Sequence, residues 1–172
     1  MTGKEKDELS NLIARIRTYI EDPTQGLPEE IFLFATEITP MTNVDLLVRD
    51  ENGRILLAWR NDQWYGNGWH VPGGIIRVKE SFDERIQKCA QDELHTMVQY
   101  QKEPLEMFQI IEKEFHTRCH FYSFVFDCKV PDDYMIENGN LKKDDTGYLK
   151  WHERFPENML RCHNIYKKYF RG

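Results

Sequence analysis

The sequence predicts an α+β fold: an α/β/α sandwich with a mixed β-sheet packed between helices and a helical extension at the N-terminus. Three observations carry this. Strand-like and helix-like segments follow one another in the order β–β–loop–α–β–β–β–α after residue 40, an order that builds a sheet covered by helices. A separate amphipathic stretch precedes them and ends at Pro23 and Gly26. At 172 residues the chain is long enough to bury one substantial core and too short for two. We therefore expect an extension over residues 1–27 and one domain over residues 28–172.

The elements follow in order. Residues 7–22 place Leu9, Leu12, Ile13, Ile16 and Ile20 on one helical face. A second short helix starts at Pro28 and stops before Pro40, proline being well suited to a first turn. Residues 43–60 read as two strands joined at Glu51-Asn52-Gly53, where Asn-Gly signals a hairpin. The stretch YGNGWHVPGG leads through a loop into a short strand. Ser81 with Glu84 is a capping box, so a helix starts near Phe82 with Phe82, Ile86, Cys89 and Ala90 inward. Residues 105–115 and 119–130 are strand-like, the second bounded by Pro131. A polar loop over 135–147 leads to a last strand at 148–153. A closing helix opens at Pro156 and carries Met159, Leu160, Ile165, Tyr166 and Tyr169. No repeat or low-complexity segment interrupts this order.

Composition removes several function classes. Hydrophobic residues make up 40% and charged residues 30%, a globular balance. No run approaches the roughly 18 apolar residues of a membrane span, and the charged N-terminus lacks the apolar core of an export signal. We expect a cytoplasmic protein with no membrane or nucleic-acid partner, since the net charge of −6 disfavours a phosphate-backbone binder. The four cysteines show no zinc spacing and read as reduced thiols.

Chemistry concentrates in WHVPGGIIRVKESFDERIQKCAQDELHTMV, residues 69–98. Gly73 and Gly74 permit positive φ and a close approach of ligand to main chain. Cys89 and Glu93 are four residues apart and share one helix edge, with Lys88 and Asp92 on the next. The Glu93 carboxylate then faces the Gly-Gly loop, and carboxylate plus backbone carbonyl suits a hard cation such as Mg2+ or Mn2+. Glu80 with Lys88 is read as an ion pair bracing the loop, and Cys89 as a small buried apolar residue. Asp45 points opposite to Val44 and Leu46, toward solvent or a site. Arg60 is a candidate anion ligand. His116, Arg118 and His120 alternate along a strand and would share one face, either a pocket wall or plain surface. Trp64, Tyr65 and Trp69 are core or stacking residues, and Asp144-Asp145 a turn or a ligand pair.

The segment resembles the Nudix hydrolase box, in which Gly, five residues, Glu, seven residues, Arg-Glu, an aliphatic, any residue, Glu-Glu, any residue and Gly follow one another. Here those places are held by Gly74, Glu80, Lys88, Cys89, Ala90, Asp92, Glu93 and His95. The spacing is kept; Cys89 replaces the first acid of the Arg-Glu pair, and His95 the closing glycine. The absence of that acid, together with TPMTNVDLLV, LLAWR, GWHVPGG and CHFYSFVFDCKV, resembles the GDP-mannose mannosyl hydrolase subgroup, over roughly residues 28–151. The resemblance implies a Nudix-type fold, magnesium held by the Gly73 carbonyl and Glu93, Asp45 and Arg60 facing sugar and diphosphate, and a homodimer. The subgroup's arginine after Gly-Gly is Ile75 here. Its metal-binding Gln and catalytic His are missing before the last strand, which leaves Asp144 and Asp145 as candidates for both tasks, Asp145 as the metal ligand. Arg118 and His120 complete the expected substrate-binding set. The expected function is magnesium-dependent hydrolysis of a nucleoside diphosphate sugar to sugar and nucleoside diphosphate. The alternatives are pyrophosphohydrolysis at phosphorus and a non-catalytic nucleotide-sugar binder.

Overall fold

The computed structural model describes residues 1–171. Two helices open the chain, α1 over Gly3–Arg17 and α2 over Glu29–Ile38. The strands are β1 (Met41–Val48), β2 (Ile55–Asp62), β3 (Gly66–His70) and β4 (Gly73–Ile75) before helix α3 (Phe82–Leu94). After it come β5 (Gln99–Tyr100), β6 (Glu106–Ile111), β7 (His120–Lys129) and β8 (Leu149–His152), then a closing 3-10 helix, Arg161–Tyr169.

The α+β fold is as expected, but the strands form two sheets. β1 lies between β4, antiparallel, and β7, parallel. The other edge of β7 carries β6 along Ser123 and its neighbours and β5 at Cys128–Lys129. The second sheet is antiparallel, with β2 between β3 and β8. The Asn52-Gly53 turn forms as predicted, with Gly53 at φ +72° and its N–H donating to the Asp50 carbonyl. Its arms nevertheless meet only at the Arg49–Ile55 bridge before parting into different sheets. The turn signal is local; the pairing partner is not.

Both faces of the central strands are buried, which explains their near-continuous apolar runs. Val44, Leu46 and Val48 of β1 pack with Leu56 and Ala58 against Ile86, Cys89, Ala90 and Leu94 of α3. Leu47 joins Ile55, Leu57, Trp59, Trp69 and Tyr166 on the other side. Asn43 and Asp45, sharing the second parity, are thereby aimed at the level of the closing 3-10 helix. That element was expected as an α-helix from Pro156; the chain is irregular until Leu160 and then winds as 3-10.

Helix α3 begins where its capping box predicts, with Ser81 Oγ accepting the Glu84 N–H and Glu84 returning a bond to the Ser81 N–H. It ends at His95, whose φ is +59°. A left-handed residue at this position is ordinarily glycine, so the expected glycine-to-histidine exchange retains the glycine's backbone geometry. Helix α1 buries none of its residues, and Leu9, Leu12, Ile13 and Ile16 are all exposed.

Candidate functional site

Gly73 and Gly74 do not have positive φ. Close approach is their reason: a Cβ on Gly73 would lie 2.3 Å from the Val44 carbonyl and 2.5 Å from Asp45 Oδ1, and one on Gly74 2.9 Å from Cys89 Sγ. The loop is thereby pressed onto β1 and α3. Glu93 reaches it as expected, but through its N–H: Gly73 N donates to Glu93 Oε1 at 3.0 Å. The other oxygen, Oε2, lies 3.0 Å from Nε2 of His70, which no spacing in the sequence singles out. Burial pushes the Cys89 thiol up to about 12, so it stays protonated beneath Gly74.

Glu80 does not pair with Lys88. Arg85 takes it bidentately at 2.7 and 2.8 Å, and the Arg77 N–H adds a third bond at 2.8 Å. Burial pulls the Glu80 carboxyl upward, but these donors outweigh it and hold the group below its ordinary value. Position 85 is five residues from Glu80, near the helix start, where a long side chain reaches back over the loop; Lys88 lies almost one turn further along.

A cleft of about 410 Å³ opens beside this loop, within the roughly 300–1,000 Å³ usual for small-molecule sites. Asn43, Asp45, Arg60, His70, Arg118 and His163 bring their polar groups to it. Asp45 is buried, and one of its oxygens, Oδ2, accepts from the Ser123 and Tyr166 hydroxyls. Burial raises its carboxyl to about 6, against the lowering effect of those two hydroxyls and of His70. His163 accepts the Val71 N–H at Nδ1, which fixes the proton of its neutral ring on Nε2. Burial, then the nearby His70 and Arg60, hold that ring well below its ordinary value. A lone histidine among apolar neighbours carries no spacing signal, which is why neither His70 nor His163 was legible.

Arg118 is held in the cleft through its backbone and its guanidinium. It has φ +50°, its N–H donates to Thr36 Oγ1 at 2.9 Å, and its carbonyl accepts the Tyr65 hydroxyl at 2.8 Å. Its guanidinium lies over the Phe32 ring, 5.9 Å from the centroid. Burial lowers its proton affinity, and the like charge of Arg60 lowers it further. Among the described residues it has no carboxylate partner, and its Nε is buried without a hydrogen bond. Arg60 keeps a loose contact to Asp62 at 3.4 Å.

The other expected residues scatter. His116 and Arg118 precede β7, which starts at His120, so the three do not share a strand face. His120 sits 3.1 Å from the Gln109 amide nitrogen, beside Tyr122 and away from the cleft. Asp144 uses its carbonyl to accept from Asn61, and the Asp145 carboxylate accepts the Lys142 N–H within its own turn. Trp69 is core, packed edge-on against Trp59. Asp92, Glu93 and Gly73 do border a second recess with Leu141, Thr146 and Gly147 of the same polar loop. Among the described residues, however, no three His, Cys, Asp or Glu side chains gather around one point. With Cys89 a neutral thiol and both Glu93 oxygens engaged, the chain's own groups do not fit a resident divalent cation.

Residues 39–164 match the NUDIX domain family. The chain is 28% identical over 106 residues to "Low-salt glycan biosynthesis protein Agl8" of Haloferax volcanii, an alignment covering 62% of this chain and 60% of that protein. The chain thus spans about three fifths of the length of this relative. Among solved structures, a MutT NUDIX hydrolase from Burkholderia pseudomallei superposes with TM-score 0.59 at 17% identity, over 77% of this chain and 99% of that one. A structure described as UDP-X diphosphatase superposes with TM-score 0.54 at 21% identity, over 94% of this chain and 75% of that one. The fold is shared with both, the box spacing from Gly74 to Glu93 lies inside the matched span, and the chain belongs to the NUDIX domain family.

Proposed function

We propose that the protein hydrolyses a nucleoside diphosphate sugar, releasing the free sugar and the nucleoside diphosphate. The observation that carries this is the Arg60–Arg118 pair: two like charges held at one cleft, the second without a carboxylate. Such a pair repels itself until a polyanion enters, and a diphosphate offers the matching charge. The glycan-biosynthesis role in the name of the Haloferax relative supports a sugar on the other side of that diphosphate.

In this reading Arg60 and Arg118 neutralise the charge that grows on the diphosphate as the bond between the anomeric carbon and its oxygen breaks. The electron pair goes to that oxygen. Water forms the new bond to carbon, and its proton passes to Asp45, whose raised carboxyl is a stronger base than an exposed aspartate. The His163 Nε2–H donates to an oxygen of the ligand. Attack at carbon also suits Cys89, since it asks for no acid at the position the thiol occupies. Nudix hydrolases generally use divalent metals such as Mg2+. Because the chain alone does not form a site for one, we assign Mg2+ or Mn2+ to the substrate complex, arriving on the diphosphate.

Steady-state kinetics with nucleoside diphosphate sugars test the arginine assignment. Arg118→Gln should lower kcat by about tenfold or more, a larger change than in KM, because its bonds strengthen as the leaving group charges. Wild-type turnover in that variant contradicts the reading.

A further inference from the structure

The cleft is chemically divided, and one end is walled in part by residues that precede the matched family span. Its polar end, with Asp45, Arg60, Arg118 and His163, continues into a small recess of about 60 Å³. Its other end, with Phe32, Ile76 and Val78, continues into the groove along α2. Phe32 lies on α2 and Leu27 just before it, while the family match begins at residue 39. Leu27 and Val78 remain 37% and 51% exposed, so this wall is apolar and open in the free protein.

We propose that this apolar end is the nucleobase subsite and that Phe32 is its specificity-determining residue, an inference that rests on the diphosphate reading of the Arg60–Arg118 pair. A nucleobase has apolar faces and polar edges, so it gains most between apolar walls next to a site that anchors its phosphates. The same helix does both tasks here. Thr36 of α2 holds the Arg118 N–H, and Phe32 of α2 lies under the Arg118 guanidinium. α2 therefore sets the position of the phosphate-binding arginine relative to the base wall. On the other side the turn at Gly26, with φ +119°, lies beside Arg77: an added Cβ there would be 3.8 Å from Arg77 Nε. The segment before the family span is thus part of the ligand site.

The test compares two probes on the full chain, a nucleoside diphosphate and inorganic pyrophosphate, by equilibrium binding in magnesium buffer. The wild-type protein should bind the nucleoside diphosphate more tightly than pyrophosphate. Phe32→Ala should weaken the nucleoside diphosphate by about tenfold while leaving pyrophosphate within about twofold. Phe32→Leu keeps apolar bulk in α2 and, with an unchanged thermal melt, should still lose most of the difference between the probes. Equal weakening of both probes would mean that Phe32 acts only through Arg118 and would overturn the base subsite. Equal affinity of the wild-type protein for both probes would overturn it too, with the arginine reading intact. Failure of the wild-type protein to bind either probe would instead remove the diphosphate site itself, and the subsite with it.

Discussion

Asp45 is buried between the Ser123 and Tyr166 hydroxyls, and burial is the largest influence on its carboxyl. With a folded-state value of about 6 against an ordinary 3.8, the folded chain holds this proton more tightly than the unfolded one. The stabilisation is therefore complete below the unfolded value and is lost as pH rises through the folded value. A gap of this size corresponds to about 3 kcal/mol. Asp45→Asn cannot ionise, so urea unfolding of the variant should show a flatter stability profile between about pH 4 and pH 7 than the parent protein. Identical profiles would mean that Asp45 does not titrate in this window. Glu93 and Cys89 lead to a second expectation. With a protonated thiol and an engaged carboxylate, calorimetric titration of Mg2+ into the protein alone should show no tight stoichiometric site, whereas added nucleoside diphosphate should create one. Tight binding without nucleotide would contradict the assignment of the cation to the substrate complex. Glu93 facing the Gly-Gly loop was legible because helical spacing fixes its edge. Arg118 against Thr36 was not, because 82 residues separate them and no local periodicity links a loop residue to a helix hydroxyl.

Among the elements, α3 and α1 contrast. α3 announces both its ends in sequence: Ser81 with Glu84 at the start, and at the finish a position that demands positive φ whether glycine or His95 fills it. Its inward stripe of Ile86, Cys89, Ala90 and Leu94 is buried as the 3.6-residue period requires. The two sheets were less legible, since alternation tells which side chains share a face and not which strand lies alongside. α1 has a capping box and an apolar stripe but nothing to bury it against: Leu12 is 53% exposed. A single helix of 15 residues is marginal in water unless packed. We propose that its stripe meets the same stripe of a second copy, forming the homodimer implied by the sequence resemblance. Sedimentation at micromolar concentration should give a dimer, and Leu12→Glu should shift it to monomer. A monomeric parent protein with α1 still helical would refute this.

For the molecule as a whole, charge is distributed against its average. The chain carries a net charge of −6, yet Arg60, Arg77, Arg85 and Arg118 all line one cleft. Arg85 is committed to Glu80, whereas Arg60 keeps only a loose contact to Asp62 and Arg118 has no carboxylate partner among the described residues. An acidic surface with a positive cleft repels nucleic acid in bulk and still admits a small polyanion, so association with a nucleotide sugar should weaken as salt rises. The overall charge was legible as a property of composition; the local reversal needed the fold, because the four arginines come from three separate stretches of chain. In the proposed reaction water attacks the sugar's anomeric carbon while the diphosphate leaves. Hydrolysis of nucleoside diphosphate sugars in oxygen-18 water, with Mg2+ present and products analysed by mass spectrometry, tests it most directly. Label should appear in the released sugar and not in the nucleoside diphosphate; label in a phosphate-bearing product, or binding without any turnover, would rule out attack at carbon.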